Sequence, residues 1–202
     1  MTFLSTHRDR SIIRLQLIQN VVLKEANEEI IDELEPYLTI LECRKGDVLQ
    51  HQGVQEMEQY FILDGILKRV VTDQQAKEMI LRFADERNME TSYAAWRLKT
   101  PTPFSIVSVS RARVAKLPLH QWVIFIEQHP RLKEAFEFEV MRLMSDIMAH
   151  TIALHLLDAP GCVHRFVYKH PTLDDRIPRK ELASYLNICA ETLSRLKHQG
   201  KI

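Results

Sequence analysis

Residues 179–197 read Arg-Lys-Glu-Leu-Ala-Ser-Tyr-Leu-Asn-Ile-Cys-Ala-Glu-Thr-Leu-Ser-Arg-Leu-Lys. Two short helices joined by a tight turn fit this stretch. Pro178 suits the first position of the first helix, where a missing N–H costs nothing. Ala183 is small where two helices must cross closely. Asn187 falls at the turn, which needs a left-handed residue; glycine is the usual choice and asparagine the next best. Leu182, Leu186, Leu193 and Leu196 supply the inward faces, so small, turn and apolar positions all agree with a helix-turn-helix. The second helix would begin near Ala190 and expose Glu191, Ser194 and Arg195 on one face. The first turns of such a helix enter the major groove. There Arg195 could donate to guanine O6 and N7, Glu191 could accept from cytosine N4, and Ser194 could reach a neighbouring base. Arg179, Lys180, Thr192 and Lys197 would contact phosphates. The alternative is an ordinary amphipathic helix whose Glu191 and Arg195 pair on a solvated face.

Upstream, Asp158-Ala159-Pro160-Gly161 marks a break. A short helix fits 162–169, ended by His170-Pro171. Before the break, 131–157 runs without Gly or Pro. In it Phe136, Val140, Leu143, Ile147, His150, Leu154 and Leu157 step by alternating fours and threes, which predicts a coiled-coil seam with one polar member. A helix of about 27 residues spans about 40 Å, which suits a homodimer packed helix against helix. The alternative is a helix lying flat on its own chain. His150 would set the register, or respond to pH.

Residues 38–117 follow another pattern. Short apolar pieces at 38–43, 47–51, 59–63, 66–72, 78–83, 104–109 and 112–117 are separated by turn signals such as Asp64-Gly65. They predict an antiparallel roll of about eight strands. Residues 84–103 fit least and read as a loop with one helical turn, the natural place for a ligand loop. At the N-terminus, Ile12, Leu15, Ile18 and Val22 predict an amphipathic helix over 11–24. A second helix fits 28–35, capped by Asn27 and ended at Pro36. The fold class is therefore α+β: N-terminal helices and roll over 1–130, a dimerisation helix over 131–158, and a helix-turn-helix domain over 159–202.

Composition excludes other classes. Of 202 residues, 46% are apolar and 27% charged, an ordinary globular balance. The longest apolar run near Trp122 ends at Ile126, far short of the roughly 18–20 residues that span a bilayer, and no signal peptide is visible. Three scattered cysteines (Cys43, Cys162, Cys189) argue against a disulfide framework and fit a reducing cytoplasm. Lys plus Arg equals Asp plus Glu at 27 each, so the chain is neutral. The zero hides an asymmetry. Residues 162–202 carry eight basic and four acidic side chains, a net +4, against −4 for the remainder. A basic tail domain suggests a polyanionic partner.

The order of elements resembles the cyclic-AMP receptor/fumarate-nitrate regulator (CRP/FNR) superfamily. Two segments carry the resemblance. One runs from Arg44-Lys45-Gly46-Asp47-Val48-Leu49 to Tyr60-Phe61-Ile62-Leu63-Asp64-Gly65, and the other from Ala183-Ser184-Tyr185-Leu186-Asn187-Ile188 into Glu191-Thr192-Leu193-Ser194-Arg195. The resemblance implies a homodimeric transcription regulator that binds double-stranded DNA at an inverted repeat of TTGAT-like half-sites. RNA polymerase and a small-molecule effector are its further implied partners.

The departures concern the effector. The family's phosphate cassette carries a Gly-Glu pair and a later Arg. Here 85–105 has no glycine, and Thr102-Pro103-Phe104-Ser105 stands where the Arg should be. A buried cyclic phosphate would lack its charge partner, so tight cyclic-AMP binding is not expected. The ligand-loop candidates left are Glu90, Arg97, Lys99 and Ser105. Three cysteines cannot hold an iron–sulfur cluster, no histidine stands out as a haem ligand, and no metal or cofactor is expected. Cys189 takes the capping position of the second helix, where a thiol caps poorly and a redox role is the alternative to a structural one. The chain ends without a winged hairpin, which predicts fewer phosphate contacts. Other readings are a ligand- or partner-binding module with a vestigial helix-turn-helix, and a metal-dependent barrel enzyme. The latter would need a histidine cluster where the roll has only His51.

Overall fold

Turn residues that interrupt 38–117 stand at strand ends. The computed structural model describes residues 2–198, with side chains through 196. The elements run β1 (Thr2–Phe3), α1 (Arg10–Leu17), α2 (Glu28–Leu34), β2 (Thr39–Cys43), β3 (Val48–Gln50), β4 (Glu58–Asp64), β5 (Leu67–Thr72), β6 (Glu78–Ala84), β7 (Met89–Thr91), α3 (Tyr93–Leu98), β8 (Ser105–Ser108) and β9 (Ala112–Pro118). They continue as α4 (Leu119–Glu127), α5 (Pro130–Leu156), α6 (Ala159–Lys169), α7 (Arg179–Tyr185) and α8 (Ala190–His198). The strands make two antiparallel sheets, a five-stranded one in the order β1-β2-β9-β4-β7 and a four-stranded one in the order β3-β8-β5-β6.

Side chains alternate across a strand, and β4 shows what this does to the core. Tyr60 and Ile62 point between the sheets, among Leu67, Phe104, Ile106 and Val114. Phe61 and Leu63 point the other way into a cluster built with the helices. There Trp122 meets Phe61 edge-on at 5.2 Å and Phe136 at 5.5 Å. A third cluster joins Ile66, Val70, Ile80 and Phe83 of the roll to Val163, Phe166, Leu182, Tyr185 and Leu193. The last helices therefore share a core with the four-stranded sheet.

Two expectations change. Helix α1 stops at Leu17 rather than running to 24, and its buried face is Ile13 and Leu17, while Ile12, Leu15 and Ile18 are exposed. The cause is Asn20, which is buried, donates to the Asn88 carbonyl at 2.8 Å and accepts from the Val22 amide at 3.0 Å. That turn leads into a single 3-10 turn over Leu23–Glu25 and buries Val22 and Leu23 in the core. Within 84–103, α3 supplies the helical turn, and β7 is an additional strand on β4, in register Tyr60 with Glu90. Asn27 does cap α2, accepting from the Ile30 amide at 3.0 Å.

Gly65 closes the β4–β5 turn at φ +86°, where a side chain is strained. A Cβ there would lie 2.3 Å from the Arg111 carbonyl oxygen and 2.7 Å from Ala112. Gly65→Ala is expected to destabilise the protein by at least about 2 kcal/mol, since both backbone strain and a backbone clash oppose it. A urea midpoint unchanged from the parent would contradict this account of the turn.

Candidate nucleic-acid interface

Helices α7 and α8 stand where the sequence places them. Asn187 takes the left-handed conformation at φ +52°. Leu182, Ala183, Leu186, Leu193 and Leu196 are buried between the helices and the roll. That anchoring leaves Glu191 and Arg195 exposed on the opposite side of α8, one turn apart. Ser194 is half-buried and its hydroxyl accepts from Arg179 Nη1 at 3.2 Å, a bond that ties the start of α7 to α8. Arg179 and Lys180 are exposed in the first turn of α7. The Thr192 hydroxyl lies 3.0 Å from the Cys189 thiol, which is exposed. The Glu191 carboxyl is held below its ordinary range, first by its own backbone amide and then by the Cys189 side chain. Both are groups at the amino end of α8, where partial positive charge gathers. Lys197 lies outside the described side chains.

The long helix α5 has 27 residues and begins at Pro130, in the first turn, where proline is tolerated. Most of its expected seam is turned inward, with Leu157 at its end exposed, which corrects the reading of the inward residues as a surface for a second copy. Phe136 and Leu143 are buried in their own chain, Val140 packs against the N-terminal core, and Leu154 packs against the core under α7. Ile147 is half-buried. His150 stacks on Tyr185 at 3.8 Å with the rings 3° apart. Its Nε2 lies 3.1 Å from the Tyr185 carbonyl, which can only accept, so Nε2 carries the proton. The exposed apolar side is a second row, Phe138, Met141, Met144, Met148, Ile152 and Leu156, with Met141 64% and Leu156 77% exposed. Two interleaved rows ran through the sequence, and the rest of the chain claims the one that holds Phe136, Leu143 and Leu154.

The ligand-loop candidates are not brought together. Arg97 and Lys99 are exposed at the end of α3, with Arg97 over the Tyr93 ring at 5.9 Å. Ser105 accepts from the Gln52 amide at 2.9 Å. Glu90 is fully buried on β7, where its partners are Arg69, in direct hydrogen bond, and Arg82, whose Nε is 3.2 Å away. Arg69 also donates to the Thr91 carbonyl at 2.8 Å and lies 4.3 Å over the Phe104 ring. Burial lowers the Arg69 pKa, and the Glu90 carboxylate opposes that shift. Guanidinium groups thus reach Glu90 from β5 and β6, where Arg69 and Arg82 are cross-strand neighbours. Sequence reasoning missed both arginines. The available signal was a Lys68-Arg69 pair inside an apolar strand, where alternation forces one of the two inward.

The last helices are fixed to the roll by charge as well. Lys68 Nζ lies 2.6 Å from Glu181 of α7. Arg176 makes a two-pronged bond to Glu86 at 2.5 and 2.9 Å. Phe83 of β6 meets Tyr185 at 5.2 Å.

No protein-family model matches the chain. No curated protein matches it. Solved structures do. The global regulator CLP of Xanthomonas campestris, described as responsive to c-di-GMP, superposes with a TM-score of 0.70 at 13% identity, over 86% of this chain and 92% of that one. FixK2 of Bradyrhizobium japonicum gives 0.68 at 15% identity, over 81% and 86%. The catabolite activator protein of Thermus thermophilus gives 0.56 at 18% identity, over 89% and 86%. The chain has a CRP/FNR-like fold, with antiparallel sheets and several helices, one of them long. Among the described residues no helix is long and apolar enough to cross a membrane.

His150 and His170 are both pushed down to about 4, first by burial. The unfolded chain, with ordinary histidines near 6.5, binds their protons more readily. Their contribution to stability is therefore complete above about pH 6.5 and is lost as pH falls toward 4. Unfolding by urea is expected to show a falling midpoint over that window. His150→Phe, which keeps a ring against Tyr185 and removes one titration, should flatten the slope; an unaltered slope would disprove the assignment.

Proposed function

We propose that the protein is a homodimeric, sequence-specific DNA-binding transcription regulator. The observation that carries this reading is the exposed Glu191–Arg195 row at the start of α8. The helix is fixed behind that row by Leu193 and Leu196, with Arg179 and Lys180 flanking it. This arrangement suits Arg195 for guanine and Glu191 for cytosine, with Ser194 reaching a base once Arg179 turns to phosphate. Neighbouring structures of the same fold include proteins named as regulators, in keeping with this role. The whole-chain charge is zero, so long-range attraction to DNA is weak and base contacts, doubled by dimerisation, carry more of the discrimination. The dimer is built from the exposed row of α5. Large apolar side chains along several turns are unusual on a monomer's surface and suit a parallel helix pair.

Fluorescence anisotropy with a TTGAT inverted repeat and a scrambled duplex, at about 150 mM salt, tests the DNA reading. The repeat should bind more tightly. Arg195→Ala should remove the preference at a cost of about 1–3 kcal/mol per half-site. Equal binding of both duplexes by the parent protein would favour a vestigial motif.

Sedimentation velocity tests the dimer. Met148→Asp should yield a monomer, because it places a carboxylate in the middle of the helix pair. A dimer that survives this change would move the interface elsewhere.

A further inference from the structure

A cavity of about 230 Å³ lies where β6, α5 and α6 meet. Arg82 and Asp85 line it from the roll, Arg142 and Asp146 from α5, and Lys169 and His170 from the end of α6. A smaller space shares Lys169, His170 and Tyr185 with it and adds Arg165 and His150. The cations are incompletely matched. Asp146 is divided between Lys169 at 2.6 Å and Arg142 at 3.3 Å. Glu90 is divided between Arg82 and the buried Arg69. Glu139 answers Arg142 from behind at 2.6 Å. Asp85 has its carboxyl pushed up by burial. Four cations thus border the two spaces, and with Arg69 behind them the five meet four carboxylates, Asp85, Glu90, Glu139 and Asp146, which leaves Arg165 as the excess charge. Both histidines stand there as neutral rings, with burial the first cause of their lowered pKa and nearby cations adding to it: Arg165 and Lys169 at His150, Lys169 and Arg82 at His170. Such a space lowers the energy of an entering anion. Its volume is below the roughly 300–1,000 Å³ of pockets for drug-sized ligands. It suits inorganic phosphate or a small phosphorylated acid, and is too small for a nucleotide.

We propose that this interdomain cavity binds a compact phosphate-class anion, held by Arg82, Arg142, Lys169 and His170, and that the anion sets how firmly α6–α8 are held against the roll. The second half rests on the DNA-binding reading above. The site lies apart from the roll interior, and its donors come from the sheet, the long helix and the last domain at once. An anion there adds a bond between parts that already meet through a shared apolar core, Lys68–Glu181, Arg176–Glu86, Lys169–Asp146 and the Tyr185 stack.

Isothermal titration of the full chain with inorganic phosphate, in chloride buffer of matched ionic strength and without DNA, tests the site. Saturable binding at one site per chain is expected, weakened about tenfold or more in Lys169→Met. His170→Phe is a second variant should the first fail to fold, and circular dichroism checks both. Absence of saturable binding in the parent, or equal affinity in the folded variants, overturns the site. Cyclic AMP should not compete; competition overturns the assignment to this cavity. The second half is read by anisotropy on the inverted repeat, where saturating phosphate should change the parent's affinity about threefold or more and leave Lys169→Met unmoved. No change in the parent overturns the coupling. A protein that binds no DNA sinks the DNA reading and the coupling together, while calorimetry still decides the site.

Discussion

Tyr185 is the contact on which the arrangement of the whole chain turns. Its ring lies flat on His150 of α5, tilts against Phe83 of β6 and meets Phe166 of α6 edge-on. One side chain thus touches the four-stranded sheet, the long helix and the last helices, and its own backbone carbonyl receives His150. Burial of the phenol raises its pKa to about 12, so it stays neutral in this apolar junction. Because protein interiors are close-packed, a shift of any of the three parts must move the others. The position of α8 is consequently tied to the roll through a single continuous core rather than a free linker.

The roll interior carries the opposite constraint. Glu90 and Arg69 are both buried, and removing charge from water is repaid only when geometry and hydrogen bonds are complete. Here each has a partner, with the Thr91 carbonyl and the Phe104 face absorbing the rest of the guanidinium. The buried arginine of the roll is thus met by an internal carboxylate. This places the arginine-rich interdomain space in a different light, since Arg82 reaches both Glu90 and that space.

Much of the fold was legible in the residues. Strand ends follow Gly46, Gly53 and Gly65, which all have positive φ. Pro130 opens α5, whereas α6 begins at Ala159, inside the break expected at 158–161, because Asp158 caps it by accepting from the Gly161 amide at 2.9 Å. Asn187 marks the left-handed turn of the helix-turn-helix. These signals are local, set by backbone sterics and caps, so a one-dimensional reading reaches them. The facing of α5 was not legible. Phe136, Leu143 and Leu154 recur with helical spacing, and so do Phe138, Met141, Met148 and Ile152. Periodicity identifies that faces exist; it does not say which one the chain keeps for itself. The inward turn of α1 failed for the same reason, with Asn20 as the deciding residue.

The sequence by itself determined the order of elements, the turn chemistry and the presentation of Glu191 and Arg195 at the start of a helix, because these depend on neighbours within a few positions. Only the tertiary structure decided which face of α5 is free, that Glu90 is answered by Arg69 and Arg82, and that Lys68 meets Glu181 across more than a hundred residues of chain. Those pairings depend on which elements fold against one another. Burial then selects among side chains that are equivalent in spacing, and it does so through contacts that no local window contains.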